Sequence, residues 1–256
     1  MLSNSVKKHI KQLHQKKFRK QFEEFFVEGV KGVEEALNSE FDVVALVVEG
    51  SRRDDEPFAS LIKKAEEEEV EVFFAGAKDL KDIKSTDTFP GVMAIIAKVE
   101  ESLEFFDFNA PILALDGVAD PGNLGTIIRT ADWFGITNII LGESCVEPYN
   151  EKVVRSTMGS IFHVNIFESK NLEKTLLELK EKEGYLLSGL VLGGEELKED
   201  SFKNKKQIFI LGSESHGIKK ELAEKLDLLY TIPGKGKAES LNVAIAGGII
   251  LAKLNN

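Results

Sequence analysis

Five side chains capable of polar chemistry fall in three short stretches, each an apolar run, a glycine-containing loop and a second apolar run. "LALDGVADPGNLGTIIR" (113–129) carries Asn123 and Arg129, "IFILGSESHG" (208–217) carries Glu214, and "YTIPGKGKAESLN" (230–242) carries Ser240 and Asn242. Two carboxamides, a carboxylate, a hydroxyl and a guanidinium among glycine amides suit a polar, adenosine-like ligand held by main-chain contacts, with Arg129 gripping a phosphate. Several commoner chemistries do not fit. "GKGKAE" (234–239) has Glu239 where a dinucleotide fingerprint needs its third glycine, and no phosphate-binding G-x-x-x-x-G-K-[ST] loop occurs. Ser215 adjoins His216 without a G-x-S-x-G elbow, and adjacency in sequence does not make a nucleophile–base pair. The four histidines are scattered and Cys145 is the only cysteine, so no metal site is expected.

Each of these residues also has a plainer role open to it. Asn123 stands where an asparagine commonly caps a helix, Arg129 is a candidate for a surface ion pair, Glu214 for a cap on the helix that follows it, and Ser240 and Asn242 for the start of the last helix. Five such coincidences within three ordered segments favour the functional reading. Trp133 and Phe134 are read as core or dimer packing, and Cys145 as an inert thiol.

The elements that must position these residues are legible in the periodicity. From "PILALDGV" onward, short continuous apolar runs ("NIILGE", "HVNIF", "YLLSGLVL", "QIFILGSE", "LLYTIP") alternate with helical patterns and end in the apolar helix "SLNVAIAGGIILAKL". That pattern predicts an α/β fold with a mostly parallel sheet covered on both faces, whose ligands sit outside the carboxyl ends of the strands. The first hundred residues predict a separate small α/β unit from "EFFVEG", "VKGVEEALNS", "DVVALVVEG", "PFASLIKKAEEEE", "VEVFFAG" and "GVMAIIAKV". The division expected is 1–100, a linker at 101–110, and 111–256.

Composition narrows the partners. The chain has 256 residues, 43% of them hydrophobic, and a formal charge of −10, yet residues 1–22 carry seven Lys and Arg and no acid, which leaves −17 for the rest. A basic arm on an acidic body suits RNA or DNA docking, as a solvated terminal helix equally would explain it. The longest apolar run, Val243 to Leu254, is too short to span a bilayer and holds Lys253. With no signal-peptide pattern at the start, a cytoplasmic protein without a membrane partner is expected.

Taken together, the three stretches resemble the SpoU (TrmH-like) branch of the SPOUT RNA 2′-O-ribose methyltransferases, whose motifs run N-x-G-x-x-x-R, G-x-E-x-x-G and I-P-x-x-G-x-x-x-S-L-N. They stand here in order as Asn123-x-Gly125-x-x-x-Arg129, Gly212-x-Glu214-x-x-Gly217 and Ile232-Pro233-x-x-Gly236-x-x-x-Ser240-Leu241-Asn242. The likeness covers roughly residues 110–254. The first hundred residues resemble, more loosely, the family's L30e-like substrate-binding domain through "FFVEGVKGVEEAL" and "FPGVMAIIA".

The resemblance implies a SPOUT catalytic domain with a deep trefoil knot, an exception to the rule that chains do not thread loops. It also implies a homodimer, S-adenosylmethionine in the knot, and an rRNA or tRNA substrate, with no DNA. Gly212, Ile232 and Leu241 would then contact the cofactor largely through backbone, while Asn123, Arg129, Glu214, Ser240 and Asn242 surround the reacting ribose. Gly234 departs from the pattern, for relatives often carry methionine there. The family assigns the base role to the motif-one arginine, but a guanidinium stays protonated. Arg129 therefore suits better a cation that binds the adjacent phosphate and favours the developing alkoxide, leaving the proton to phosphate or water. The competing expectation is a non-catalytic RNA-binding or ribosome-assembly factor that keeps the fold; a small-molecule methyltransferase is disfavoured by the basic segment and the extra domain.

Overall fold

The structure, a computed structural model, describes residues 2–84, 89–198 and 206–254. Two compact units emerge, Met1–Glu100 with Tyr149–Phe162, and Glu101–Pro148 with His163–Asn256. The chain thus passes from one unit to the other three times.

The first unit begins with α1 (Asn4–Leu13) and α2 (Lys16–Phe22), followed by β1 (Glu24–Glu28), α3 (Val30–Leu37), β2 (Val43–Glu49), α4 (Phe58–Glu67), β3 (Glu71–Ala75), α5 (Ala77–Ile83) and β4 (Val92–Ala97). Its sheet has the order β1-β4-β2-β3, with β4 antiparallel to both neighbours and β3 parallel to β2. The basic segment is not an extended arm. Val6, Ile10 and Leu13 recur at helical spacing, and Ile10 and Leu13 are fully buried in a core shared with Phe26, Val47 and Met93. Lys7 and Lys11 pair with Asp79 and Asp82 of α5 at 2.9 and 3.1 Å. Arg19 is buried and donates to the Leu13 carbonyl at 2.7 Å.

The second unit opens with β5 (Ile112–Asp116), α6 (Pro121–Trp133) and β6 (Asn138–Leu141). After α7 (Glu151–Thr157), which belongs to the first unit, it resumes with β7 (Asn165–Glu168), α8 (Leu172–Glu183), β8 (Leu186–Glu196), β9 (Gln207–Gly212), α9 (Lys220–Ala223), β10 (Leu228–Thr231) and α10 (Val243–Leu254). The sheet order is β10-β8-β9-β5-β6-β7, and every strand pairing in it among the described residues is parallel. Ile112, Ala114, Ile140, Tyr185, Ile208 and Ile210 sit in its buried core, as continuous apolar runs require. Strand order runs outward from β5 to β6 and β7 on one side, while β9 lies on the other. That reversal opens a crevice at the carboxyl ends of β5 and β9, whose final paired residues are Asp116 and Gly212.

Residues 149–162 join the first unit through an aromatic cluster. Phe25 lies 4.6 Å from the Tyr149 ring and 6.2 Å from Phe162, which packs edge-on to Phe41 at 5.1 Å. Val153, Val154 and Ile161 are buried with them.

Candidate active site

All three motifs converge at that crevice. Asp120 caps α6, accepting the Asn123 N–H at 2.9 Å, and Pro121 occupies the first turn, where its missing N–H costs nothing. Asn123 is thereby relieved of the capping role. Its Nδ2 donates to Oε1 of Glu214, and its Oδ1 accepts from Nδ2 of Asn242 at 3.0 Å. Oδ1 of Asn242 accepts in turn from the N–H groups of Ala244 at 2.9 Å and Ile245 at 3.3 Å, so Asn242 is both a helix cap and a site residue. One run of hydrogen bonds therefore links Glu214, Asn123, Asn242 and the start of α10.

Glu214 is held at the tip of a tight hairpin. Ser213 and Gly217 exchange backbone hydrogen bonds of 3.0 and 2.9 Å, and Ser213 Oγ accepts the His216 N–H at 3.2 Å. The hairpin folds back so closely that a Cβ on Gly212 would lie 2.0 Å from the Gly217 carbonyl carbon, and Gly217 itself has φ +66°. Only glycine closes this turn.

Beside the hairpin lies a cavity of about 930 Å³. Gly212, Ile232 and Leu241 all line it, as do Glu214 and Ser240. One wall comes from Leu190, Val191 and Leu192, where β10 pairing jumps from Gly189 to Glu195 and releases the intervening residues from the ladder. The Gly-Gly pair at 193–194 was the signal in the sequence for that interruption. Gly234 and Gly236 line the cavity with open space where a side chain would stand.

Arg129 is not part of this hydrogen-bonded run. It is exposed and has no ion pair among the described residues. Six helical residues beyond Asn123 place it roughly 120° around α6 and about 9 Å along it. Trp133, one turn further on that face, is 83% exposed and so is not a core residue. Cys145 donates to the Leu115 carbonyl at 3.2 Å, and burial pushes its thiol pKa up, consistent with an unreactive side chain.

The sequence reading missed Asp116. A carboxylate closing an otherwise apolar strand, "ILALD", was its signal. It is 2% exposed, accepts the Lys219 backbone N–H at 2.8 Å, and lies 3.6 Å from the Lys219 ammonium, which also meets Glu143 at 3.0 Å. Glu143, helped by Asp116, raises the Lys219 pKa; the Glu143 carboxyl is lowered by its own backbone N–H and by Lys219. The loop that carries Glu214 is thus pinned at Gly212 by strand pairing and at Lys219 by a buried acid.

The SpoU rRNA Methylase family matches residues 110–252, and an MRM3-like substrate binding domain matches residues 4–94. The chain belongs to the SpoU family. This SpoU chain is 34% identical over 251 residues to the 23S rRNA (guanosine(2553)-2′-O)-methyltransferase RlmP of Bacillus subtilis, covering 98% of the chain and 96% of that relative. It is 28% identical over 232 residues to a 23S rRNA (guanosine-2′-O-)-methyltransferase RlmB of Nitrosomonas europaea, covering 88% and 89%. Among solved structures, an AdoMet-bound rRNA methyltransferase from Sinorhizobium meliloti superposes with a TM-score of 0.85 at 32% identity, over 99% of this SpoU chain and 95% of the other.

Proposed function

We propose that this protein transfers a methyl group from S-adenosylmethionine to the ribose 2′-oxygen of a guanosine in large-subunit rRNA. Two motif loops, carrying Glu214 and Ser240, line one glycine-rich cavity, and the first motif is tied to them by the Glu214–Asn123–Asn242 hydrogen bonds; that arrangement carries the reading. Substrate and base come from the RlmP and RlmB relatives, and the cofactor from the AdoMet-bound neighbour. The cavity fits the cofactor: its volume lies in the range of small-molecule pockets, and Gly212, Gly234 and Gly236 leave room for close main-chain approach.

In this reading residues 1–100 recognise RNA and residues 111–256 form the catalytic part, with a trefoil knot formed by the chain beyond β9. When bound, S-adenosylmethionine supplies an electrophilic methyl on a sulfonium centre. Gly212, Ile232 and Leu241 present backbone groups to it. Asn123 and Asn242, fixed by mutual hydrogen bonding, and Ser240 at the cavity wall orient the ribose; Glu214 fixes the Asn123 carboxamide. Arg129, a permanent cation, binds the adjacent phosphate and favours the developing alkoxide while the proton passes to phosphate or water.

The protein works as a homodimer in the cytoplasm. Exposed Trp133 on the Arg129 face of α6, with exposed Leu241 and Ile245 at the start of α10, supports a second copy covering these helices and Arg129 serving the partner's ribose site. The test is labelled methyl transfer from S-adenosylmethionine to unmethylated 23S rRNA, with cofactor affinity measured by calorimetry. Transfer to RNA is expected; cofactor binding without transfer would favour the non-catalytic assembly factor.

A further inference from the structure

Strands β6, β5 and β9 are neighbours in a parallel sheet, so the loops that follow them leave from one edge. Asp116 is buried at that edge and belongs to none of the three motifs. Its backbone is the last β5 position paired with β9, opposite Gly212, and its Oδ2 accepts the Lys219 N–H at 2.8 Å. One residue therefore grips both roots of the 212–219 hairpin that carries Glu214 at its tip. The Lys219 ammonium closes the arrangement, 3.6 Å from Asp116 Oδ1 and 3.0 Å from Glu143 Oε1. Glu143, in the loop after β6, accepts the Leu172 N–H at the start of α8 through its other oxygen, at 3.4 Å.

The first motif leaves from the same residue. Gly117, at φ +83°, turns the chain so close to the hairpin that a Cβ on it would lie 3.4 Å from Ser213 Cβ, and the chain then runs to Asp120, the cap of α6. Both partners of the Glu214–Asn123 hydrogen bond thus diverge from Asp116. Packing alone does not set that bond. Ile218 and Leu222 are buried beneath the far root, but apolar burial is non-directional and fixes depth rather than aim. A carboxylate only 2% exposed acts differently, because a charge so placed needs each of its donors in position.

We propose that Asp116 is a positioning residue for methyl transfer: it aims the Glu214 hairpin at Asn123, with Lys219 and Glu143 holding the far root. The proposal rests on the methyltransferase reading above and adds what fixes the second motif. Gly212 at the near root stays in the β5–β9 ladder without the Asp116 side chain, and Ile232 and Leu241 stand on another loop, between β10 and α10. Loss of the side chain therefore moves the tip, where Glu214 meets Asn123, and leaves the cofactor contacts in place.

The experiment uses the full chain. It measures S-adenosylmethionine affinity by calorimetry, kcat and KM on unmethylated 23S rRNA transcript, and the Asn123 side-chain amide signals by heteronuclear NMR, assigned by their loss in Asn123→Asp. Asp116→Ala is expected to lower kcat by about tenfold to a hundredfold, the effect of a misplacement of about 1 Å, with cofactor affinity and KM unmoved. The same variant should shift the Asn123 signals toward their position in Glu214→Ala. Asp116→Asn combined with Lys219→Met keeps an acceptor for the backbone N–H at 219 without a buried charge, and should recover most of kcat. Lys219→Met alone leaves the buried carboxylate without its cation and should be slower than that double variant; this comparison decides the matter if Asp116→Ala does not fold. Wild-type kcat in Asp116→Ala, cofactor affinity falling in step with kcat, Asn123 signals that stay in place, or a double variant no faster than Lys219→Met would each overturn the positioning role. Wild-type protein that binds the cofactor and methylates no rRNA overturns the functional reading instead, and the Asn123 signals then still decide whether Asp116 aims the hairpin.

Discussion

Exchanging donor and acceptor in the central hydrogen-bonded run tests whether it holds the motifs together. Asn123→Asp replaces the Nδ2 donor that meets Glu214 with an oxygen while keeping an acceptor for Asn242. A hydrogen bond to a charged group is worth about 1.5–3 kcal/mol, and for groups this exposed the lower end applies. Two carboxylates about 3 Å apart repel by roughly 1.4 kcal/mol at the dielectric of water and about 3 kcal/mol at half that value. The single variant should therefore lose about 2–4 kcal/mol. For a unit of this size that is a fall of about 5–15 °C in the calorimetric transition of the second unit. Adding Glu214→Gln reverses the polarity, because the new carboxamide donates to the new carboxylate, and should recover most of the loss. The coupling energy from the double-mutant cycle is expected to be about 2 kcal/mol. A swap variant no more stable than Asn123→Asp would refute the idea that this contact joins the motifs.

Further outcomes follow from other parts of the site. Gly212→Ala drives a Cβ to 2.0 Å from the Gly217 carbonyl carbon, so calorimetry should show S-adenosylmethionine affinity falling by about tenfold or more as the hairpin shifts. Arg129→Ala should cut methyl transfer by about a hundredfold, the size of effect expected of a lost electrostatic group, with cofactor affinity unmoved. Arg129→Lys should keep part of the activity; an inactive lysine variant would instead show a need for the planar guanidinium fork. In the first unit the His14 pKa is raised chiefly by its bond to Glu151, at 2.6 Å. A raised histidine pKa stabilises the fold fully below its unfolded value near 6.5 and ceases to as pH climbs through the folded value. The melting-temperature deficit of His14→Gln should accordingly be larger at pH 6 than at pH 8.5.

Strands such as "ILALD", "NIIL" and "QIFILG" were legible because burial on both faces demands uninterrupted apolar runs. The site residues were legible because three loops carry polar groups where a core would continue. What the sequence concealed was contingent on tertiary contact. Charge counting could not show that Arg19 is buried, nor that Lys7 and Lys11 are spent on Asp79 and Asp82 of α5, which lie about seventy residues further along the chain. Tyr149 and Phe162 fall within the 111–256 expected for the second unit, but their rings complete the Phe25 and Phe41 cluster of the first. Asp116 was hidden by its own helpfulness, because a buried acid holding a backbone N–H leaves no spacing motif.

The central claim is methylation of a ribose oxygen, and the product nucleoside decides it. Full-length protein, S-adenosylmethionine with an isotopically labelled methyl group and unmethylated 23S rRNA transcript should yield, after digestion and mass spectrometry, label in 2′-O-methylguanosine at one position. Label on a nucleobase, or in no nucleoside although the cofactor binds, would contradict the account.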